Sequence, residues 1–88
     1  MNVKVTHTKN PAIGWDISAM AQSEGTEKIS RATVNLNGFD EFDETFSPPI
    51  ASWQNELLQR GQFPGENRVR VSITDDNGNE TSNEDVWD

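Results

Sequence analysis

The chain has 88 residues, with 15 acids against 7 bases, a formal charge of -8, and no cysteine or tyrosine. One domain at most fits this length; disulfides and thiolate zinc sites are excluded, and no apolar run is long enough to span a membrane as a helix. The acidic balance repels nucleic-acid phosphates and anionic membranes, which leaves basic proteins, cations and neutral surfaces as partners, with no nucleic acid and no membrane insertion expected.

Leu, Ile, Val and Phe total 18 residues, a content bordering on that of disordered chains. Strand periodicity and the three tryptophans argue instead for a folded core. Val3 to Thr8 alternates, with Val3, Val5 and His7 on one face, and Pro11 marks its end or an edge. The segment does not read as a signal peptide. A free-standing protein of this kind is expected in the cytoplasm, and a module of a longer parent chain at the cell surface or outside it. In the second strand Trp15, Ile17, Ala19 and Ala21 share a face, and Ser23-Glu24-Gly25-Thr26 has turn composition. The third strand, Ile29 to Asn37, points Ala32, Val34 and Leu36 inward. Ile29 is out of phase with them, which a bulge or bend would reconcile. Asn37-Gly38 ends that strand.

Phe39 to Pro49 interleaves Phe39, Phe42 and Phe46 with Asp40, Glu41, Asp43 and Glu44. The spacing suits a helical turn or a short strand from Phe42 to Phe46 equally. Ile50 to Arg60 is the one helix candidate. Pro49 suits a first turn, Ile50, Trp53 and Leu57 fall on one stripe with Leu58 widening it, and Gly61 is a stop signal. Two short extended pieces are the competing reading. Phe63-Pro64-Gly65 reads as a turn. Val69, Val71 and Ile73 form the clearest strand, followed by the turn Asp75-Asp76-Asn77-Gly78-Asn79. The last segment, Glu80 to Trp87, is polar enough for a sheet edge.

Five or six strands with turns every eight to twelve residues indicate an all-β sandwich. Two stretches also carry a resemblance. Ile29 to Gly38 resembles the third strand of small bacterial immunoglobulin-like modules. Pro64, Gly65 and Asn67, then Thr74, Asp75, Gly78 and Asn79 across an alternating valine strand, resemble their closing hairpin. The resemblance implies one immunoglobulin-like domain over residues 1–88, of the kind found as spacers, adhesin repeats and accessory domains in secreted or surface proteins, with no shared catalytic residues. The sequence departs from that pattern at about 39–62, read as an acidic, aromatic insertion, helical or irregular, where function was added.

Phe39, Asp40, Phe42, Glu44 and Phe46, with Trp53 on the adjoining helix, are the candidate protein-binding residues. Their rings would serve as apolar anchors and the acids as a charged rim facing a basic or neutral protein partner. The alternative places the rings at one end of the core. Asp75, Asp76, Asn77 and Asn79 are oxygen donors on a loop and candidate calcium ligands, although the full calcium-loop spacing is absent. Their alternative role is turn capping. No other cofactor is expected. His7 has no second histidine for a metal site and no triad pattern, so it reads as a strand-end histidine. Paired carboxylates could serve a glycosidase, but the chain has hardly room for a sugar cleft. The expectation is therefore a non-enzymatic interaction module. The alternatives are a structural spacer or adhesin repeat tightened by calcium, and a small acidic inhibitor of an enzyme.

Overall fold

Period-two alternation is clearest in the first, second, third and sixth of the seven strands among the described residues: β1 (Asn2–Asn10), β2 (Gly14–Gln22), β3 (Ile29–Leu36), β4 (Phe39–Ile50), β5 (Ser52–Arg60), β6 (Asn67–Asp75) and β7 (Glu80–Trp87). The structure is a computed structural model that describes residues 1–10, 12, 14–60 and 65–88, with residues 58–60 described through their backbone. The expectations for Pro11, Gly61, Phe63 and Pro64 lie outside the described residues.

The strands make two antiparallel sheets, one ordered β1-β2-β5 and the other β4-β3-β6-β7. Their inner faces supply a shared core of Val3, Val5, Ile17, Ala19, Ala21, Ile29, Ala32, Val34, Leu36, Trp53, Val69, Val71, Ile73 and Trp87. Every residue of the inward faces expected for the second, third and sixth strands is in that core or, like Trp15, packed against it. The small alanines of β2 let the facing sheet approach closely.

Local chemistry sets the turns. Leu36 pairs with Phe39 across a two-residue hairpin. Its central residues, Asn37 at φ 52° and Gly38 at φ 92°, are both left-handed, the twist-matched geometry that Asn-Gly supplies at low cost. The out-of-phase Ile29 is reconciled by a shift of register between Ile29 and Arg31 against both neighbouring strands. Against β6 Ser30 is the extra residue, whereas against β4 residues 46–49 stand opposite it; its hydroxyl donates to the carbonyls of Thr74 (3.0 Å) and Asp75 (2.9 Å). The bulge thus brings Ile29 to full burial without orphaning the carbonyls beside it.

The helix expected over Ile50 to Arg60 is a strand, and among the described residues there is no helix. Trp53 and Leu57 are four residues apart, a spacing that satisfies one face of a strand as well as one face of a helix. The residue between them on the core face is polar Asn55, opposite Ala19, so apolar alternation is hidden. Register against β2 fixes the extended form from Ser52 to Arg60. The segment read as an insertion is therefore the outermost strand of one sheet, β4, followed by the outermost strand of the other, β5. Ala51 is the single residue between them. Its carbonyl accepts the Ser23 N–H at 2.9 Å, tying the crossover to the end of β2.

The two sides of the molecule differ. On one side β1 and β7 lie against each other and are stitched together by side chains. Asn83 Nδ2 donates to the Val3 carbonyl at 3.0 Å, and His7 pairs with Asp85. On the other side, among the described residues, β4 and β5 are the outermost strands of their sheets. The chain enters at one end, where the Met1 amine meets Glu24 at 3.0 Å. It leaves at the other, where Trp87 stacks on His7, in a molecule measuring 40 × 20 × 19 Å.

Candidate binding site on the edge strand

Strand β4 places the acidic and aromatic residues in two sets. Counted outward from the Asn37-Gly38 turn, Asn35 pairs with Asp40, but Val34 then pairs with Phe42. Glu41 is the extra residue of this bulge. Without it Phe42 would face outward. With it Phe42 returns to the core face, opposite fully buried Val34, and its ring centroid lies 5.5 Å from that of Trp53.

The outward set is Asp40 and Asp43, both engaged by neighbours on β3. Asn35 Nδ2 donates to Asp40 Oδ1 at 3.0 Å. Arg31 makes a two-pronged contact with Asp43, Nε to Oδ1 at 3.0 Å and Nη2 to Oδ2 at 2.8 Å. The guanidinium hydrogen bonds hold the Asp43 carboxyl below the ordinary carboxylate range. Both partners are solvent-exposed, so this pair contributes little to stability. It does neutralise one of the strand's acids.

The core-side set is Phe39, Phe42 and Glu44, whose pairing partners Leu36, Val34 and Ala32 are all buried. Phe42 is half-buried, whereas Glu44 remains exposed because β4 is a rim strand. Phe46, in the register gap between paired Thr45 and Ile50, is half-buried and packs against the core. Among the described residues neither Glu41 nor Glu44 has an ion pair. Phe39 is the large apolar exception, 67% exposed at the hairpin tip.

The sequence-derived set is thus brought onto β4 and, for Trp53, onto β5 of the facing sheet, but does not form a surface cluster of rings. Phe39 stands alone at the surface, Phe42 and Phe46 lean on the core, and Trp53 is 8% exposed within it. Glu41, Asp43 and Arg31 belong to the surface as well. Sequence reading counted Glu41 and Asp43 among the rim acids without naming them as site residues and gave Arg31 no binding role, and only the hairpin register relates Arg31 to Asp43.

In the candidate calcium loop Asp75 and Asp76 accept backbone N–H groups of the loop and of Lys28. Asp75 Oδ1 accepts the N–H groups of Asn77 and Asn79, each at 2.9 Å, and Asp76 Oδ1 accepts that of Lys28 at 3.0 Å. The Gly78 N–H closes the turn on the Asp75 carbonyl at 3.1 Å, with Gly78 at φ 86°. Among the described residues no group of three or more His, Asp or Glu is placed to hold a metal ion.

His7 faces inward, as its place on the strand suggests. Its ring stacks on Trp87 at 4.3 Å with an interplanar angle of 8°, meets Trp15 edge-on at 5.4 Å, and bonds to Asp85 through Nδ1. These contacts join the first, second and last strands. The arrangement closes one end of the core, and it brings no serine or second histidine to the ring among the described residues.

Two other surfaces bear on the charge. The outer face of sheet β1-β2-β5 holds an open depression whose lining mixes Thr6, Thr8, Ser18, Asp16 and Glu56 with Ile17 and Leu57. The outer face of the other sheet interleaves signs, Arg68 meeting Glu66 at 3.0 Å and Glu84 at 3.8 Å. No described helix is long and apolar enough to cross a membrane. No family model matches the chain, and no curated protein matches it.

Proposed function

We propose that this chain is a non-enzymatic protein-interaction module, an immunoglobulin-like sandwich whose acidic rim strand β4 engages a protein partner with a basic or neutral surface. The observation that carries the reading is the rim of β4, where among the described residues β4 pairs with β3 alone and neither Glu41 nor Glu44 has an ion pair beside exposed Phe39. Unpaired charge next to an apolar anchor favours oriented association with a complementary surface. Inhibition of an enzyme by covering a basic groove would use the same rim. The immunoglobulin-like assignment is supported by topology. The order β1-β2-β5 against β4-β3-β6-β7 follows the arrangement of strands A, B and E against C, F and G, with an additional strand beside C.

Phe39→Ala and Glu44→Ala test this reading. Both side chains are exposed, so each substitution is expected to alter stability by less than about 0.5 kcal/mol. A shared loss of the same captured partner, with unchanged unfolding, is the expected outcome. Undiminished capture by both variants would count against the rim.

A structural spacer is the second reading, favoured by the position of the two termini at opposite ends of the molecule. Domains joined end to end would extend by roughly the length of each unit. Small-angle scattering of two copies fused in tandem would give a rod under this reading and a folded-back dimension against it.

A further inference from the structure

We propose that β4 accepts an extended, basic segment of a partner protein as an added strand of the four-stranded sheet. This rests on the reading of β4 as the binding rim and specifies how the partner sits there.

Among the described residues β4 pairs with β3 alone. Every second backbone N–H and C=O along its paired stretch therefore faces the open side, where another strand can bond to them. The opposite rim is different, because β1 covers the flank of β7 through the Asn83 and His7 contacts. The addition site is bounded at both ends. The hairpin tip with Phe39 closes one end. Pro48 and Pro49, which have no N–H to offer, close the other.

Charge selects the occupant. A second copy adding β4 to β4 would bring Asp40, Glu41, Asp43 and Glu44 against the same four acids, and like charges across a strand pair are destabilising. A segment with lysine or arginine at alternate positions reverses that sign. Asp40 and Asp43 already have partners on β3, so the added strand's basic residues are matched to Glu41 and Glu44. On the core side Glu44 lies between half-buried Phe42 and Phe46. A lysine placed there can lay its alkyl stem along the rings and set its ammonium on the carboxylate. The inward-directed carboxylate and the bulge at Glu41 also blunt the rim against indiscriminate strand addition, leaving it open to a cationic strand.

The test titrates the full chain with a short synthetic peptide of alternating lysine and threonine. A control peptide is N-methylated on alternate residues, which keeps the charge and removes the ladder donors. Fluorescence anisotropy gives affinity, and NMR hydrogen exchange locates protection. The expected result is binding by the first peptide, slowed exchange of the β4 amides, and affinity weaker by about tenfold or more for the methylated peptide. Equal binding of both peptides, weakened by Glu41→Gln/Glu44→Gln, would overturn strand addition while leaving the acidic-rim reading intact. Binding indifferent to those substitutions and without β4 protection would overturn both. Absence of binding by the unmethylated peptide at low ionic strength would also overturn strand addition.

Discussion

Replacing Trp53 by alanine separates two roles for the same residue. On a projecting helix Trp53 would be an exposed anchor whose loss costs little stability. On β5 it is 8% exposed, and its ring lies 5.5 Å from Phe42 across the gap between the sheets. Truncating a buried tryptophan costs about 3–5 kcal/mol, the transfer term plus the cavity left behind. A domain of 88 residues has a total stability of roughly 4–13 kcal/mol at about 0.05–0.15 kcal/mol per residue. The substitution therefore removes a large share of it and lowers Tm by on the order of 20 °C. Urea unfolding followed by far-UV circular dichroism measures the loss directly, and Trp53→Phe should recover much of it. A double-mutant cycle with Phe42→Ala should show about 0.5–1.5 kcal/mol of coupling. A loss below about 1 kcal/mol for Trp53→Ala would refute the core assignment, because surface substitutions lie in that range.

Asp75→Ala should destabilise the β6–β7 turn by about 1–2 kcal/mol, because its carboxylate accepts the Asn77 and Asn79 N–H groups; Tm measured by calorimetry checks this. The same capping role predicts no change in Tm on adding millimolar calcium, and a calcium-dependent rise abolished by Asp75→Asn would establish a cation site instead. The Glu24 N–H and Glu27's own N–H hold the Glu27 carboxyl down to about 2 from 4.5. The native state thus binds fewer protons than the unfolded state between those values, and this contribution is complete above 4.5 and lost as pH falls through about 2; Glu27→Gln should flatten the acid limb of a Tm–pH profile over that window. Neutralising the rim with Asp40→Asn, Glu41→Gln, Asp43→Asn and Glu44→Gln together should promote self-association through β4, read by sedimentation equilibrium, whereas an unchanged monomer would show that like-charge repulsion does not keep the rims apart.

The two-sheet core was legible in the sequence because its strands alternate without ambiguity. Ile17/Ala19/Ala21, Ala32/Val34/Leu36 and Val69/Val71/Ile73 each put apolar residues on one face. The conflict of phase at Ile29 announced its bulge for the same reason. The second bulge was hidden. Counting from Asn37-Gly38 gives the correct partner for Asp40 and the wrong one for every residue beyond it. The only signal is that Phe42, and not Glu41, must face inward. Strand β5 was hidden differently, since residues four apart fit both periods and Asn55 interrupts the alternation on the core face. Its Oδ1 is buried without a hydrogen-bond partner among the described residues, a feature that propensity reasoning disfavours. Trp87 presented the reverse case: a terminal residue in a polar strand became a buried core residue because His7 and Trp15 of the facing sheet meet its ring. The acids of 40–44 were visible as a cluster, but which of them are already satisfied depended on Arg31 and Asn35 of the neighbouring strand.

The most direct test of the binding rim compares two variants of equal charge in the same capture from a native lysate, quantified by mass spectrometry. Glu41→Gln/Glu44→Gln removes two charges from β4, and Asp16→Asn/Glu56→Gln removes two from the outer face of the other sheet. Recognition through the rim predicts that partner recovery falls for the β4 variant and is retained for its charge-matched counterpart. Equal loss in both would assign recognition to net charge alone, and retention in both would contradict the rim itself.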